Sequence, residues 1–357
     1  MRKRNCQTLK GIEFAELFCN TGGFGRDFHE ARSECVFAVD KIKCASFFAG
    51  VGGIDLAFEQ TGNFEIIYAN EFDEYAAKTY EENSSVKVDC RDINTVRTDE
   101  IPDFDVMLAG FPCQAFSIAG YREGFNDKKG RGGLFFQLQR IFLEKKPKII
   151  FLENVKNLVN HDNGNTFKVI LSCLQDAGYY TKYQVLNAKD YGNVPQNRER
   201  IYIVAFSNEE FCKNFTFPEP IALTTKISDI ICFDNKTEDK YYYTQKCPFY
   251  KKLEDSVIRS DTVYQWRRFY VRENKNNVCP ALTANMGTGG HNVPLVKTKH
   301  GIRKLTPKEC FAFQGFPETF KIPANMTDSK LYKQAGNSVI VPVICRIAEN
   351  IALAIRY

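Results

Sequence analysis

Four side chains able to do chemistry stand at the ends of apolar runs. In "DVMLAGFPCQAFSIAG" Cys113 follows a strand-like run between Pro112 and Gln114, and in "PKIIFLENV" Glu153 follows four apolar residues. In "PQNRERIYIV", Arg198 and Arg200 enter a strand with alternating period. A cysteine at a strand end can act as a thiolate nucleophile. A carboxyl that is costly to bury is either paired or used as an acid, and two guanidiniums on one strand face can fix a carboxylate or reach a substrate carbonyl. Singly, each has a plainer reading: a packed thiol, a helix cap, a surface ion-pair ladder. Together, a thiol, a carboxylate and two guanidiniums converge on one edge of the sheet.

A second feature concerns a ligand. "FFAGVGGIDLAF" runs an apolar strand into a Gly-x-Gly-Gly turn and then a helix, which brings backbone close to a bound group. "IIYANEFD" follows and ends a second strand near Glu71, whose carboxylate can take both hydroxyls of a ribose. These point to a nucleoside cofactor. A dinucleotide fingerprint needs a third glycine where Asp55 stands, so a nicotinamide is poorly supported. Upstream, "FAELFCNTGGFGRDF" looks like a worn copy of the same turn, with Asn20 in the place of Gly50.

These residues need a scaffold. "CASFF", "FEIIYAN", "DVMLAGF", "PKIIFLENV", "YYTKYQVLNA" and "RERIYIVAF" are strand-like, and "DEYAAKTYEEN", "GLFFQLQRIFLEKK" and "NTFKVILSCLQDAG" between them are helical. The alternation predicts an α/β fold with a doubly wound, mainly parallel sheet and ligands at the carboxyl ends of its strands. After about Asn208 polar and aromatic residues crowd together without helical period, so 211–302 is expected to be a smaller domain of strands and loops. The segment 303–357 turns helical again and is expected to pack back on the first domain.

Composition sets the limits. The 357 residues are 44% hydrophobic with a formal charge of +5, enough for a full core and suited to a polyanionic partner without requiring one. Thirteen scattered cysteines form no CxxC pair and only four histidines accompany them, so neither a metal site nor a disulfide framework is indicated. The basic start lacks an apolar stretch behind it, and the expectation is a cytoplasmic chain that neither leaves the cell nor spans a membrane.

The ordered series "FFAGVGG", "GFPCQAFS", "FLENVKNL", "PQNRERIY", "RKLTPKECFAFQGFP" and "QAGNSVIVPV" resembles the DNA cytosine-5 methyltransferase family, especially its bacterial restriction-modification members, from about Lys43 to the end. The resemblance implies a Rossmann-like methyltransferase fold, S-adenosylmethionine as methyl donor and double-stranded DNA as substrate. It implies that Cys113 adds to carbon 6 of a flipped-out cytosine, that Glu153 protonates ring nitrogen 3, and that Arg200, helped by Arg198, contacts the ring oxygen. It assigns the cofactor to Phe48, Gly50, Gly52, Gly53, Glu71, Phe72, Asp92, Pro112, Leu134, Asn337 and Ser338, with Phe72 on the adenine. DNA contacts fall on Ser117, Arg267, Arg268, Arg272 and Thr283.

The same resemblance makes 42–210 the catalytic domain, 211–302 the target-recognition domain and 303–357 the returning last motifs. It implies a monomer whose partner restriction endonuclease is genetic rather than physical. The segment 116–133 carries "DKKGRGGLFF", two residues longer than the family's usual form, and Asn193 is one residue more than "YGxPQ". The tRNA-directed branch carries a Cys-Phe-Thr stretch that this chain lacks, and a catalytically dead relative would lack Cys113, Glu153 or Arg200. Sixty-five positions separate Phe48 from Cys113, as in the family, against ninety-five from Phe18. The second glycine turn is therefore the working one, and 1–41 is a partial duplicate.

Overall fold

Apolar runs without polar interruption make strands that can be covered on both faces. The computed structural model describes residues 40–112, 133–274, 276–288 and 292–356. Cys113, Ser117 and residues 1–39 of the duplicated segment lie outside the described residues, with the expectations attached to them.

The described chain runs β1 (Ile42–Phe47), α1 (Gly53–Gln60), β2 (Phe64–Asn70), α2 (Glu74–Glu81), β3 (Val88–Asp89), β4 (Val106–Ala109), α3 (Leu134–Lys145) and β5 (Ile149–Val155). It continues through α4 (Asn165–Asp176), β6 (Tyr180–Asn187), the short α5 (Ala188–Tyr191) and β7 (Gln196–Asn197), and β8 (Glu199–Phe206). Seven strands form one sheet in the order β3-β2-β1-β4-β5-β8-β6. The strands from β3 to β5 pair in parallel, while β8 runs antiparallel to β5 and β6. The chain between β6 and β8 is too short to carry a crossover helix over the sheet, so β8 returns beside β6 in reverse.

Beyond the sheet come α6 (Glu209–Asn214), α7 (Tyr250–Ser256), β9 (Tyr264–Arg267), β10 (Tyr270–Glu273), β11 (Cys279–Pro280), β12 (Leu295–Thr298) and β13 (Gly301–Lys304). The helices α8 (Pro307–Ala312), α9 (Asp328–Asn337) and α10 (Val341–Ala354) follow. Alternate residues of a strand enter opposite layers. Val106 and Leu108 pack with Ile54 and Phe58 of α1 and Ile344 and Ile351 of α10; Met107 and Ala109 pack with Leu138 and Ile141 of α3 and Ile170 and Leu174 of α4. The stretch Asp328–Ala354 is apolar enough by length and composition to cross a bilayer. It is broken by extended backbone at Ser338 and Ile340, and α10 buries its apolar face in this core.

A second, antiparallel sheet has the order β10-β9-β12-β13. Cys212 and Phe215 share one hydrophobic core with Val263 and Val296, so the large sheet and the segment expected to be a smaller domain are packed through common side chains. Strand β13 spans the expected limit at 302. There Arg303, fully buried, holds both carboxylate oxygens of Glu309 at 2.7 and 2.8 Å and ties the small sheet to α8. The extra residue Asn193 has a use of its own: its Oδ1 accepts from the backbone N–H of Thr224 at 2.7 Å and of Thr225 at 3.0 Å, anchoring the chain that leads to the small sheet.

Candidate active site

The glycine turn opens at the carboxyl end of β1. Phe48 (φ 54°), Gly50 (φ 58°) and Gly52 (φ 82°) swing the chain into α1. A Cβ on Gly50 would meet nothing within 4 Å, whereas one on Gly52 would stand 2.9 Å from the ring of Tyr80. Gly50 therefore faces a cavity and Gly52 faces the packing behind it. Glu71 accepts from the N–H of Gly50 at 2.8 Å through Oε2 and from that of Asp73 at 2.7 Å through Oε1, so it holds the turn as well as facing the cavity. Burial, opposed by these two N–H groups, raises its carboxyl above the ordinary range.

Beneath the turn lies Asp55, 2% exposed, which sequence reasoning noticed only as a missing glycine. It accepts from Ser46 Oγ at 2.6 Å and from the Tyr80 hydroxyl at 2.7 Å. Burial pushes its carboxyl up to about 6 against these two donors. The acid thus joins β1, α1 and α2, and the tyrosine it holds is the one pressed against Gly52. Its signal in the sequence is a lone carboxylate in an apolar helix start.

Phe48, Gly50, Gly53, Glu71, Pro112, Asn337 and Ser338 line one cavity of about 470 Å³, together with Glu153, Arg198, Arg200 and Thr283. Four expected cofactor residues lie outside its lining. At Gly52 a Cβ would point to Tyr80, away from the cavity. Phe72 follows Glu71 and is 70% exposed; Asp92 accepts from Asn94 N and Nδ2 at 2.9 and 2.8 Å; Leu134 opens α3 against the second core layer. Lys333 and Asp73, which sequence reasoning did not single out, also line the cavity and pair at 2.7 Å, linking α9 to the cap of α2.

The register of β5 against β8 sets Val155 opposite Arg200 and Glu153 opposite Tyr202, which brings the acid and the arginines together. Arg200 Nε lies 3.1 Å from Glu153 Oε1. Glu153 is 8% exposed, and burial raises its carboxyl, opposed by Arg200 and then Arg198. Asn154 donates through Nδ2 to the Phe111 carbonyl at 2.7 Å, fixing the turn just before Pro112 and Cys113.

Arg198, expected to help Arg200, lines the same cavity and is tied down by main-chain groups. Its guanidinium is fully buried and donates to the carbonyls of Leu282, Gly336 and Ser338. Burial and the adjacent Arg200 pull its pKa down, while three carbonyls surround its protons. It is a clamp between the large sheet, the loop after β11 and the end of α9. Beside it a Cβ on Gly336 would fall 2.1 Å from the backbone of Thr283, so these two segments touch main chain to main chain.

Arg267 and Arg272 lie on the β9–β10 hairpin and line a second, polar cavity of about 1040 Å³. Arg268 (φ 53°) and Phe269, 79% exposed, form the hairpin tip. Thr283 lines both cavities. Among the described residues, no cluster of His, Cys, Asp and Glu could hold a metal ion.

Comparison with known proteins shows the family. Residues 42–353 match the family of C-5 cytosine-specific DNA methylases. The chain is 63% identical over 311 residues to the Type II methyltransferase M.Bsp6I of Bacillus sp. (strain RFL6), covering 87% of this chain and 98% of that one. It is 40% identical over 328 residues to M.HhaI of Haemophilus parahaemolyticus, covering 88% and 96%. Among solved structures, the Dnmt2 methyltransferase of S. pombe superposes with a TM-score of 0.67 at 17% identity, covering 89% of this chain and all of that one. A putative DNA modification methyltransferase from an E. coli prophage superposes with 0.64 at 19% identity, covering 89% and 100%. At those identities the likeness speaks for the fold, and the closer sequences speak for the activity. The chain belongs to the C-5 cytosine-specific DNA methylases and is a Type II, restriction-modification DNA cytosine-5 methyltransferase.

Proposed function

We propose that this methyltransferase works through a covalent adduct between Cys113 and carbon 6 of a cytosine flipped out of duplex DNA. The observation that carries the reading is the buried Glu153–Arg200 pair, which closes one wall of a cavity whose other wall is the glycine turn and which begins at Pro112, next to Cys113. Family and fold imply S-adenosylmethionine, which supplies the methyl group. The residues present suit it: Ser338 Oγ is buried without a hydrogen-bond partner, and the space over Gly50 is open. Phe48, Gly50, Gly53, Asn337 and Ser338 would hold its methionine end, Glu71 its ribose, and Phe72 its adenine.

The protein's own part is to make carbon 5 nucleophilic. The thiolate of Cys113 forms a bond to carbon 6, and the electrons of the ring double bond move toward nitrogen 3 as Glu153 donates its proton there. Burial of Glu153 favours the protonated carboxyl this step needs. Arg200 donates to the ring oxygen and balances its growing charge. After methylation the proton on carbon 5 leaves, the sulfur–carbon bond breaks and nitrogen 3 returns its proton to Glu153. Arg198 positions this wall through the carbonyls it holds.

The substrate in this reading is double-stranded DNA, with the small sheet facing it, acted on by a monomer encoded with a partner endonuclease. Incubation with labelled S-adenosylmethionine and duplex DNA should place the label on carbon 5 of cytosine, and Cys113→Ala should abolish transfer. Label on tRNA or on an exocyclic amino nitrogen, or an active Cys113→Ala chain, would overturn it.

A further inference from the structure

The hairpin of the small sheet has two chemically different faces. Tyr264 is fully buried, and Trp266 stacks on Phe249 with ring centroids 4.4 Å apart and planes 10° from parallel. Val271 packs beside them, so one face is anchored to its own domain. Strand alternation sends Gln265, Arg267, Tyr270 and Arg272 to the other face. Gln265 and Arg272 are directly paired across the strands, a position that sets Cβ atoms about 4.5–5.5 Å apart.

Both side chains line the polar cavity, and Thr283 lines both that cavity and the catalytic one. Gln265 Oε1 is buried there without a hydrogen-bond partner. Among the described residues none of the ion pairs engages Arg272, and the carboxylate nearest in sequence, Glu273, faces Arg259 at 3.3 Å. The pair therefore offers a forked donor beside an unmet acceptor. A two-stranded ribbon fits the major groove, where guanine shows two acceptors, N7 and O6, next to the amino donor of its paired cytosine. An A·T pair would instead set an amino donor against the guanidinium.

We infer that Gln265 and Arg272 together read one G·C base pair adjoining the methylated cytosine: the guanidinium donates to guanine N7 and O6, and Gln265 Oε1 accepts from cytosine N4. Arg268, at the tip, contacts phosphate. The assignment rests on the reading that the chain methylates duplex DNA with this sheet toward it.

Bisulfite sequencing of DNA methylated by the full chain gives the target site. Duplexes are then made with each of its G·C pairs changed to A·T, or its guanines to 7-deazaguanine, one position at a time. The wild-type chain should discriminate at one position beside the target by on the order of 10- to 100-fold, the range of one bidentate pair. Arg272→Lys, which keeps the charge and loses the fork, and Gln265→Leu should both erase discrimination at that position and keep it elsewhere. Arg268→Ala should weaken all duplexes alike and flatten the salt dependence. Melting curves show that each variant is folded. A uniform loss across all duplexes with Arg272→Lys, or loss at different base pairs for the two variants, would overturn the assignment. A wild-type chain that methylates no duplex would overturn the parent reading and this one with it.

Discussion

Replacing Asp55 by Asn tests whether the buried acid under the glycine turn is held at an energetic cost. The side chain is 2% exposed, and its pKa is raised from 3.8 to about 6. A carboxyl whose folded value exceeds its unfolded one binds its proton more tightly in the native state. Its favourable contribution is complete below the unfolded value and is lost as pH rises through the folded one. A displacement of about two pKa units corresponds to roughly 3 kcal/mol withheld at neutral pH. Between pH 7.5 and pH 5 about half of that returns, so the wild-type chain should gain about 1.5 kcal/mol relative to Asp55→Asn over this interval. Any hydrogen bond to Ser46 or Tyr80 that the amide makes less well shifts the difference by an amount that does not depend on pH. Urea unfolding of both chains at several pH values, compared as differences so that other titrating groups cancel, measures the slope. A difference that stays constant from pH 7.5 to pH 5 would refute the reasoning.

Three further outcomes follow from the same geometry. Gly52→Ala should cost about 1–2 kcal/mol for the left-handed backbone alone, and more for the Tyr80 ring that stands 2.9 Å from the new Cβ; an unchanged urea midpoint would contradict it. Arg198→Met leaves three buried carbonyls unpaired and should destabilise the fold by about 3–5 kcal/mol while weakening S-adenosylmethionine binding measured by calorimetry, whereas a chain of near wild-type stability would show that the clamp carries little. Deleting residues 1–41 should retain methyl transfer, since the working turn and its spacing to Cys113 remain; a folded but inactive truncation would show that the first glycine turn is needed.

What the sequence made legible follows its periodicities. The runs around Ala45, Val106 and Phe151 read as strands because both of their faces are covered, and the helix around Ile170 read as a helix because one face is. The convergence of Glu153 with Arg200 was legible because each stood at the end of such a run. The reversal of β8 was not, since an apolar strand has the same pattern in either direction. That Arg303 ties β13 to α8 was not legible, because a fully buried guanidinium paired with Glu309 is a fact of packing and not of pattern. The carbonyls that Arg198 holds were not legible, because no residue pattern reveals main-chain partners. Asp55 and Gln265 needed tertiary contacts and strand register respectively to be seen as more than isolated polar residues.

The Arg198 clamp has a consequence for which substitutions the site tolerates. Because its guanidinium grips main-chain carbonyls, its hold on Leu282 does not depend on the side chain carried there. At Gly336 the close approach of the Thr283 backbone still demands a glycine. The join between the large sheet and the loop after β11 is thus written in backbone at one point and in a single residue type at the other.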